Sequence, residues 1–138
     1  MKKKSFVVLL PCLLTLFGCN RIEITVPQGY TGGVYLIKSN VPKDELTLDS
    51  NGIGYITEDT FEDLKWQPIV HDASGKDLTA NLVGYNPSAF WGVGKSESIK
   101  PKMKIEYMGF EIVPDNLKGQ KQYYDRDLFK LVDTLKVK

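Results

Sequence analysis

Several stretches of this sequence come close to known chemistries, and the residues that spoil each match are informative. The run "AFWGVGKS", Ala89 to Ser96, ends in Gly94-Lys95-Ser96, as a phosphate-cradling loop does. Such a loop reads Gly-x-x-x-x-Gly-Lys-Ser/Thr, because flexible backbone must aim its N–H groups at phosphates while the lysine meets their charge. Ala89 stands at the first glycine, and Pro101 lies where a helix should continue. No nucleotide partner is expected. "DSNGIGYITEDT" opens like a calcium loop, with Asp49, Asn51 and Gly54 in place, but Ile53 and Thr60 occupy the fifth and twelfth positions. Ile53 has no oxygen to offer, and the twelfth position calls for a bidentate glutamate. Asn51-Gly52 suits a type I′ hairpin turn instead. Zinc requires three or four nitrogen, sulfur or carboxylate ligands, and His71 is the sole histidine. It reads as a strand-end residue beside the turn Asp72 to Asp77.

Catalytic constellations fare no better. A Ser-His-Asp triad would have to use His71 with Ser74, Ser88, Ser96 or Ser98, and no Gly-x-Ser-x-Gly elbow is present. Asp59, Glu62, Asp63, Asp125 and Asp127 could supply a carboxylate pair for glycoside hydrolysis, but nothing in their spacing selects two. The expectation is a non-enzyme without cofactor or metal, with a carboxylate-dependent hydrolase as the third reading. The segment "GYNPSAFWGVGKSESIKP", Gly84 to Pro101, lacks clear periodicity and reads as a long loop, a place where function concentrates. Its Tyr85, Phe90 and Trp91 are candidate contacts for a glycan or a protein partner, since rigid aromatic surface anchors both. The bland reading is that Phe90 and Trp91 cap the core, and Trp66 is expected to be a core residue.

The elements that must carry these residues are short strands. Ile22 to Val26 alternates apolar and polar residues, as a half-buried strand does. Val34 to Ile37, Leu46 to Asp49 paired with Ile53 to Thr57, Leu64 to His71, Leu78 to Tyr85, Lys102 to Tyr107 and Phe110 to Val113 continue the series, with turn residues between. Strands at this spacing predict a single all-β domain, an antiparallel β-sandwich. Leu128, Leu131, Val132 and Leu135 fit one helical face, so the C-terminus reads as a short helix, with a last strand over Lys130 to Val137 as the alternative.

The N-terminus gives an address. Lys2, Lys3 and Lys4 precede a twelve-residue run, Phe6 to Phe17, that is apolar except at Pro11, Cys12 and Thr15. This is the layout of a secretory signal peptide. A helix of that length reaches roughly 18 Å, short of the ~30 Å bilayer core. Leu16-Phe17-Gly18-Cys19 resembles the bacterial lipobox, with Phe17 bulkier than usual. The resemblance implies a signal peptide over residues 1–18, removal of it, and lipidation of Cys19. Cys12, behind Pro11, is the poorer alternative. A diacylglyceryl cysteine would hold the domain at a membrane without a spanning helix, since stable anchoring takes more than one chain. Asn20 where an inner-membrane lipoprotein often has aspartate points to the periplasmic face of the outer membrane.

From Cys19 to Lys138 the length suits one domain. Three of the 18 basic residues lie in the leader, so beyond it the 17 acidic residues outnumber the bases by two. That balance gives no reason to expect nucleic acid, which calls for a concentrated basic face. With Cys12 discarded and Cys19 acylated, no disulfide is available and the hydrophobic core must suffice. "ITVPQGYTGGVYLI" with the later "DSNGIGYI", "HDASGKDL", "FWGVGKSES" and "GFEIV" resembles a family of uncharacterised bacterial exported domains with transthyretin-like or carboxypeptidase-regulatory-like sandwiches. That likeness implies the sandwich fold and no activity. The function expected is an envelope lipoprotein acting as a non-catalytic accessory or protein-interaction module. A glycan-binding module using residues 84–101 is the alternative.

Overall fold

The computed structural model describes residues 21–137, so Cys19 and its leader lie outside the described residues. Among the described residues seven strands form: β1 (Glu23–Val26), β2 (Gly32–Lys38), β3 (Ile53–Ile56), β4 (Ile69–Asp72), β5 (Leu82–Val83), β6 (Gly92–Ile99) and β7 (Lys102–Ile112). Two short helices accompany them, α1 (Glu58–Asp63) and α2 (Leu128–Leu131). The fold is all-β with a short C-terminal helix, which Asp127 caps by accepting from the Phe129 N–H.

The pairing is mixed where a wholly antiparallel arrangement was expected. β7 pairs antiparallel with β2, β5 and β6, while β2–β3 and β1–β4 are parallel. Parallel neighbours need long crossovers, and here the connection from β2 to β3 is used as structure in its own right. Within it, Glu45 and Tyr55 exchange backbone hydrogen bonds of 2.7 and 3.2 Å, and Thr25 bonds Leu46 and Leu48 at 2.9 and 2.8 Å. Residues 45–48 therefore stitch the β1–β4 pair to the five-stranded sheet and fold one over the other.

Local chemistry explains three departures from the sequence reading. The turn into β3 closes with Gly52 N–H donating to Asp49 O at 3.0 Å, and Gly52 takes φ 76°. Tyr123 is the one non-glycine with positive φ among the described residues, so Asn51 is not left-handed. The turn is not type I′, which needs positive φ at both central residues. The Asp49 carboxylate is spent on the turn, accepting from the Asn51 and Ile53 N–H groups at 2.9 and 3.0 Å. Helix α1 begins at Thr57, whose Oγ1 accepts from Thr60 N–H, with Glu58 and Asp59 in its first turn. Acids there complement the helix dipole, and that pair was the overlooked sign of a helix. The strand expected from Leu64 starts only at Ile69, because Leu64 ends α1 and Pro68 has no N–H to give a ladder.

The largest correction concerns residues 84–101. Eight residues of that segment are strand β6, paired with β7 along its whole length. Its alternation was hidden because the half-buried positions are Gly92, Gly94, Ser96 and Ser98, while Val93, Lys95, Glu97 and Ile99 are exposed. Residues 84–91 make a small excursion between β5 and β6, in which Tyr85 N–H donates to Phe90 O and Asn86 N–H to Ala89 O.

Strand alternation gives the large sheet two distinct faces. Val34, Leu36, Met108, Phe110 and Ile112 point to one face and meet Ile24, Val26, Val70, Leu48, Leu64 and Trp91 in the main core. The other face divides along its length. At the β3 end, Ile37, Ile53, Tyr55 and Ile105 are covered by Leu128, Val132 and Val137 from the C-terminal segment. The remainder carries glycine and tyrosine.

Candidate functional site

On that remaining part, Gly33, Tyr35, Tyr107, Gly109, Glu111, Val83, Gly92 and Gly94 share one face by register. A groove of about 340 Å³ opens there, with Tyr35, Tyr85, Tyr107, Tyr123 and Tyr124 as walls and Gly33, Gly84, Gly92 and Gly109 in its floor. Glycine makes room for the rings. A Cβ on Gly94 would strike the Tyr107 ring, and one on Gly92 would come within 3.1 Å of Tyr85. A glycine inside a strand commonly marks such close approach. Tyr35 and Tyr107 meet edge to face, with centroids 5.6 Å apart and planes at 74°, an arrangement the ring quadrupoles favour.

The outer wall is the strap of residues 120–126. Glu111 is buried, and its carboxylate accepts from the Gln122 and Tyr124 N–H groups at 2.7 and 3.3 Å. Tyr35 Oη adds a bond to Tyr124 O at 3.2 Å. Burial, reinforced by neighbouring Tyr107 and opposed by Arg126, pushes the Tyr35 hydroxyl up to about 12. It therefore stays a donor at any physiological pH. Between the two gripped amides, Tyr123 is held at φ 58°. A bulky side chain there is a rare and costly conformation. It turns the Tyr123 ring outward, 76 % exposed, opposite Tyr85 at 57 %. Arg126 fixes the far end of the strap by donating to Asn51 O and Oδ1 at 3.3 and 3.0 Å.

Lys121 reaches across the mouth. Its Nζ donates to Tyr85 O at 2.9 Å and sits 4.7 Å from the Tyr85 ring centroid and 5.3 Å from that of Tyr123. Each contact is a cation–π pair of modest strength. The site thus offers flat aromatic faces, phenolic hydroxyls and one ammonium group, a set suited to a polyhydroxylated ligand with an apolar face. Among the described residues no three His, Cys, Asp or Glu side chains gather within reach of a metal ion.

The sequence-derived candidates separate. Tyr85 stands on the groove. Trp91 is 6 % exposed in the main core, with its Nε1–H donating to Trp66 O at 2.9 Å. Phe90 packs beside it, 5.1 Å from the Phe110 ring. Neither Trp91 nor Phe90 presents a ring to the groove; both cap the core. Trp66, expected inside, is 60 % exposed and serves through its carbonyl. Residues Tyr35, Tyr107, Glu111, Lys121, Tyr123 and Tyr124 were missed. Their signal was the set of glycines within strands, Gly33, Gly92, Gly94 and Gly109, each marking a place where something comes close.

His71 ends in β4 with Nε2 3.4 Å from Thr25 Oγ1. Asp72, beside it, has its carboxyl held below the ordinary range, chiefly by the Ser74 hydroxyl and then by turn N–H groups, against a counteracting burial. These residues build a turn. No protein-family model, curated protein or solved structure matches this chain.

Proposed function

We propose that this chain is a non-catalytic binding module of the bacterial cell envelope, tethered by lipid on Cys19, whose tyrosine groove holds a glycan. The observation that carries the reading is the pair of exposed rings, Tyr85 and Tyr123, standing over a glycine floor. Ligand sites are concave and mostly apolar, with a few placed polar groups, and Lys121 with the tyrosine hydroxyls fits that description. The likeness to transthyretin-type exported domains belongs to the same reading. So does a position close to the membrane, because β1 starts four residues after Cys19 and so short a tether spans only about 13 Å.

The test is affinity for a panel of soluble neutral, N-acetylated and acidic oligosaccharides, measured by calorimetry. Tyr85→Ala and Tyr123→Ala should each weaken binding at least tenfold. Trp66→Ala, an exposed aromatic that does not line the groove, should leave it unchanged. Equal losses in all three variants, or no binding by the parent across the panel, would overturn the glycan reading.

A further inference from the structure

Strand β6 borders the large sheet. Among the described residues its eight residues pair only with β7, and an open edge of that length invites another strand. Its outward face carries Val93, Lys95, Glu97 and Ile99. Val93 and Ile99 are 68 % and 88 % exposed. The order of these four residues is symmetric in character: apolar, basic, acidic, apolar.

We propose that β6 pairs antiparallel with β6 of a second copy, centred on Ser96, so that two large sheets join into one across a twofold axis. In that register Lys95 faces Glu97 of the second copy, Val93 faces Ile99, and Gly94 faces Ser98. Each match occurs twice, as a self-complementary interface requires. Opposite charges and apolar pairs directly across strands stabilise a sheet, and like charges destabilise it. A shift of register by two residues would place Lys95 opposite itself or Glu97 opposite itself.

The charge pattern already present on the sheet continues through the joint. On the same face Lys95 neighbours Glu106 across β7, and Glu97 neighbours Lys104. The row Glu106-Lys95 would extend to Glu97-Lys104 of the second copy, alternating in sign over four strands. Geometry agrees with a shared membrane as well. The β1–β4 layer packs on the sheet face that bears Met108 and Phe110, and Val93 is paired with Met108 on that face. A twofold axis normal to the sheet puts both β1 layers, and hence both N-termini, on one side. The proposal stands without the glycan reading and does not require it.

Oxidative cross-linking of the full chain tests the register. Directly opposed antiparallel residues have Cα atoms about 5 Å apart, within the range for a disulfide. Ser96→Cys should give a disulfide-linked dimer under mild oxidant. Ser98→Cys should not, since its counterpart lies about 13 Å along the strand. Cross-linked peptides are mapped, with the parent chain as control, so that any bond through Cys12 or Cys19 is set aside and the 96–96 or 98–98 bond alone is scored. Adding Lys95→Glu or Glu97→Lys to S96C should lower the cross-linked yield roughly tenfold. Mixing those two variants, or combining both exchanges in one chain, should restore it. Equal cross-linking at 96 and 98, no cross-linking at 96, or indifference to the charge exchanges would overturn the proposal.

Discussion

The two faces of the large sheet are made by the same strands and differ in what alternate residues contribute. On β7, Met108, Phe110 and Ile112 fill the closed face, while Tyr107, Gly109 and Glu111 look the other way. On β2, Val34 and Leu36 are wholly buried in the first set, and Gly33 and Tyr35 belong to the second. The closed face consists of aliphatic and aromatic side chains with interlocking shapes. The groove face replaces aliphatic volume with glycine, leans tyrosines over the gaps, and relies on a strap tied by the buried Glu111 carboxylate, the Tyr35 hydroxyl and Arg126. The second face keeps a core of its own at the β3 end, under the C-terminal segment, and is open only over the groove.

If that division holds, truncations on the two faces should have unequal costs. Phe110→Ala empties a site ringed by Phe90 and Trp91, with ring centroids at 5.1 and 5.3 Å. A loss of about 3–5 kcal/mol is expected, read from urea unfolding midpoints. Glu111→Ala leaves two strap N–H groups without their carboxylate, for an expected loss of about 1–3 kcal/mol. Hydrogen exchange at the Gln122 and Tyr124 amides should accelerate in that variant, while amides in β2 stay protected. If the Glu111 variant unfolds as readily as Phe110→Ala, the strap is part of the core and the comparison fails.

Acid should loosen a third place, the turn at the end of β4. Hydrogen bonds from Ser74 and from turn amides hold the Asp72 carboxyl below its ordinary value. A carboxylate with a lowered folded pKa contributes stability that is complete above its unfolded value and is lost as pH falls through the folded one. Protection of the Ser74 and Lys76 amides, measured relative to intrinsic exchange at each pH, should therefore fall on acidification below the ordinary carboxylate range. Asp72→Asn should remove that pH dependence. The groove face should show no matching change at Gly92 or Gly94.

The smallest stability effects belong to the rings expected to matter most for binding. Tyr85→Ala should change stability by no more than about 0.5 kcal/mol, as exposed substitutions do. Tyr123→Gly should be neutral or raise stability by up to about 1 kcal/mol, because glycine relieves the positive φ. Both should impair ligand binding. A Tyr123→Gly variant that binds as well as the parent would show the outward ring to be incidental.

The all-β class and most strand positions were legible because alternation survives in stretches such as Lys102 to Tyr107. β6 was not legible, since its inward residues are glycine and serine and its outward ones include valine and isoleucine, the reverse of the usual pattern. The groove was hidden for a different reason. It joins residues from β2, β6, β7, the 84–91 excursion and the strap, and only strand register shows that Gly109 lies between Tyr35 and Gly92 and that Gly33 faces Glu111. Trp91 reads from the sequence both as a core cap and as a ligand contact, and the core cap is what forms, because the excursion folds it inward. Parallel pairing could not be foreseen, because it depends on how residues 39–52 cross and not on any local pattern.

The central claim is that the glycine-floored, tyrosine-walled groove is where this protein meets its ligand. Its most direct test is a heteronuclear NMR titration of the folded chain with the oligosaccharide panel, following every backbone amide. Perturbations should concentrate at Tyr85, Gly92, Gly109 and the strap residues 121–124, with β1, β3 and β4 unmoved. Perturbations confined to another surface, or none at saturating oligosaccharide, would contradict the account.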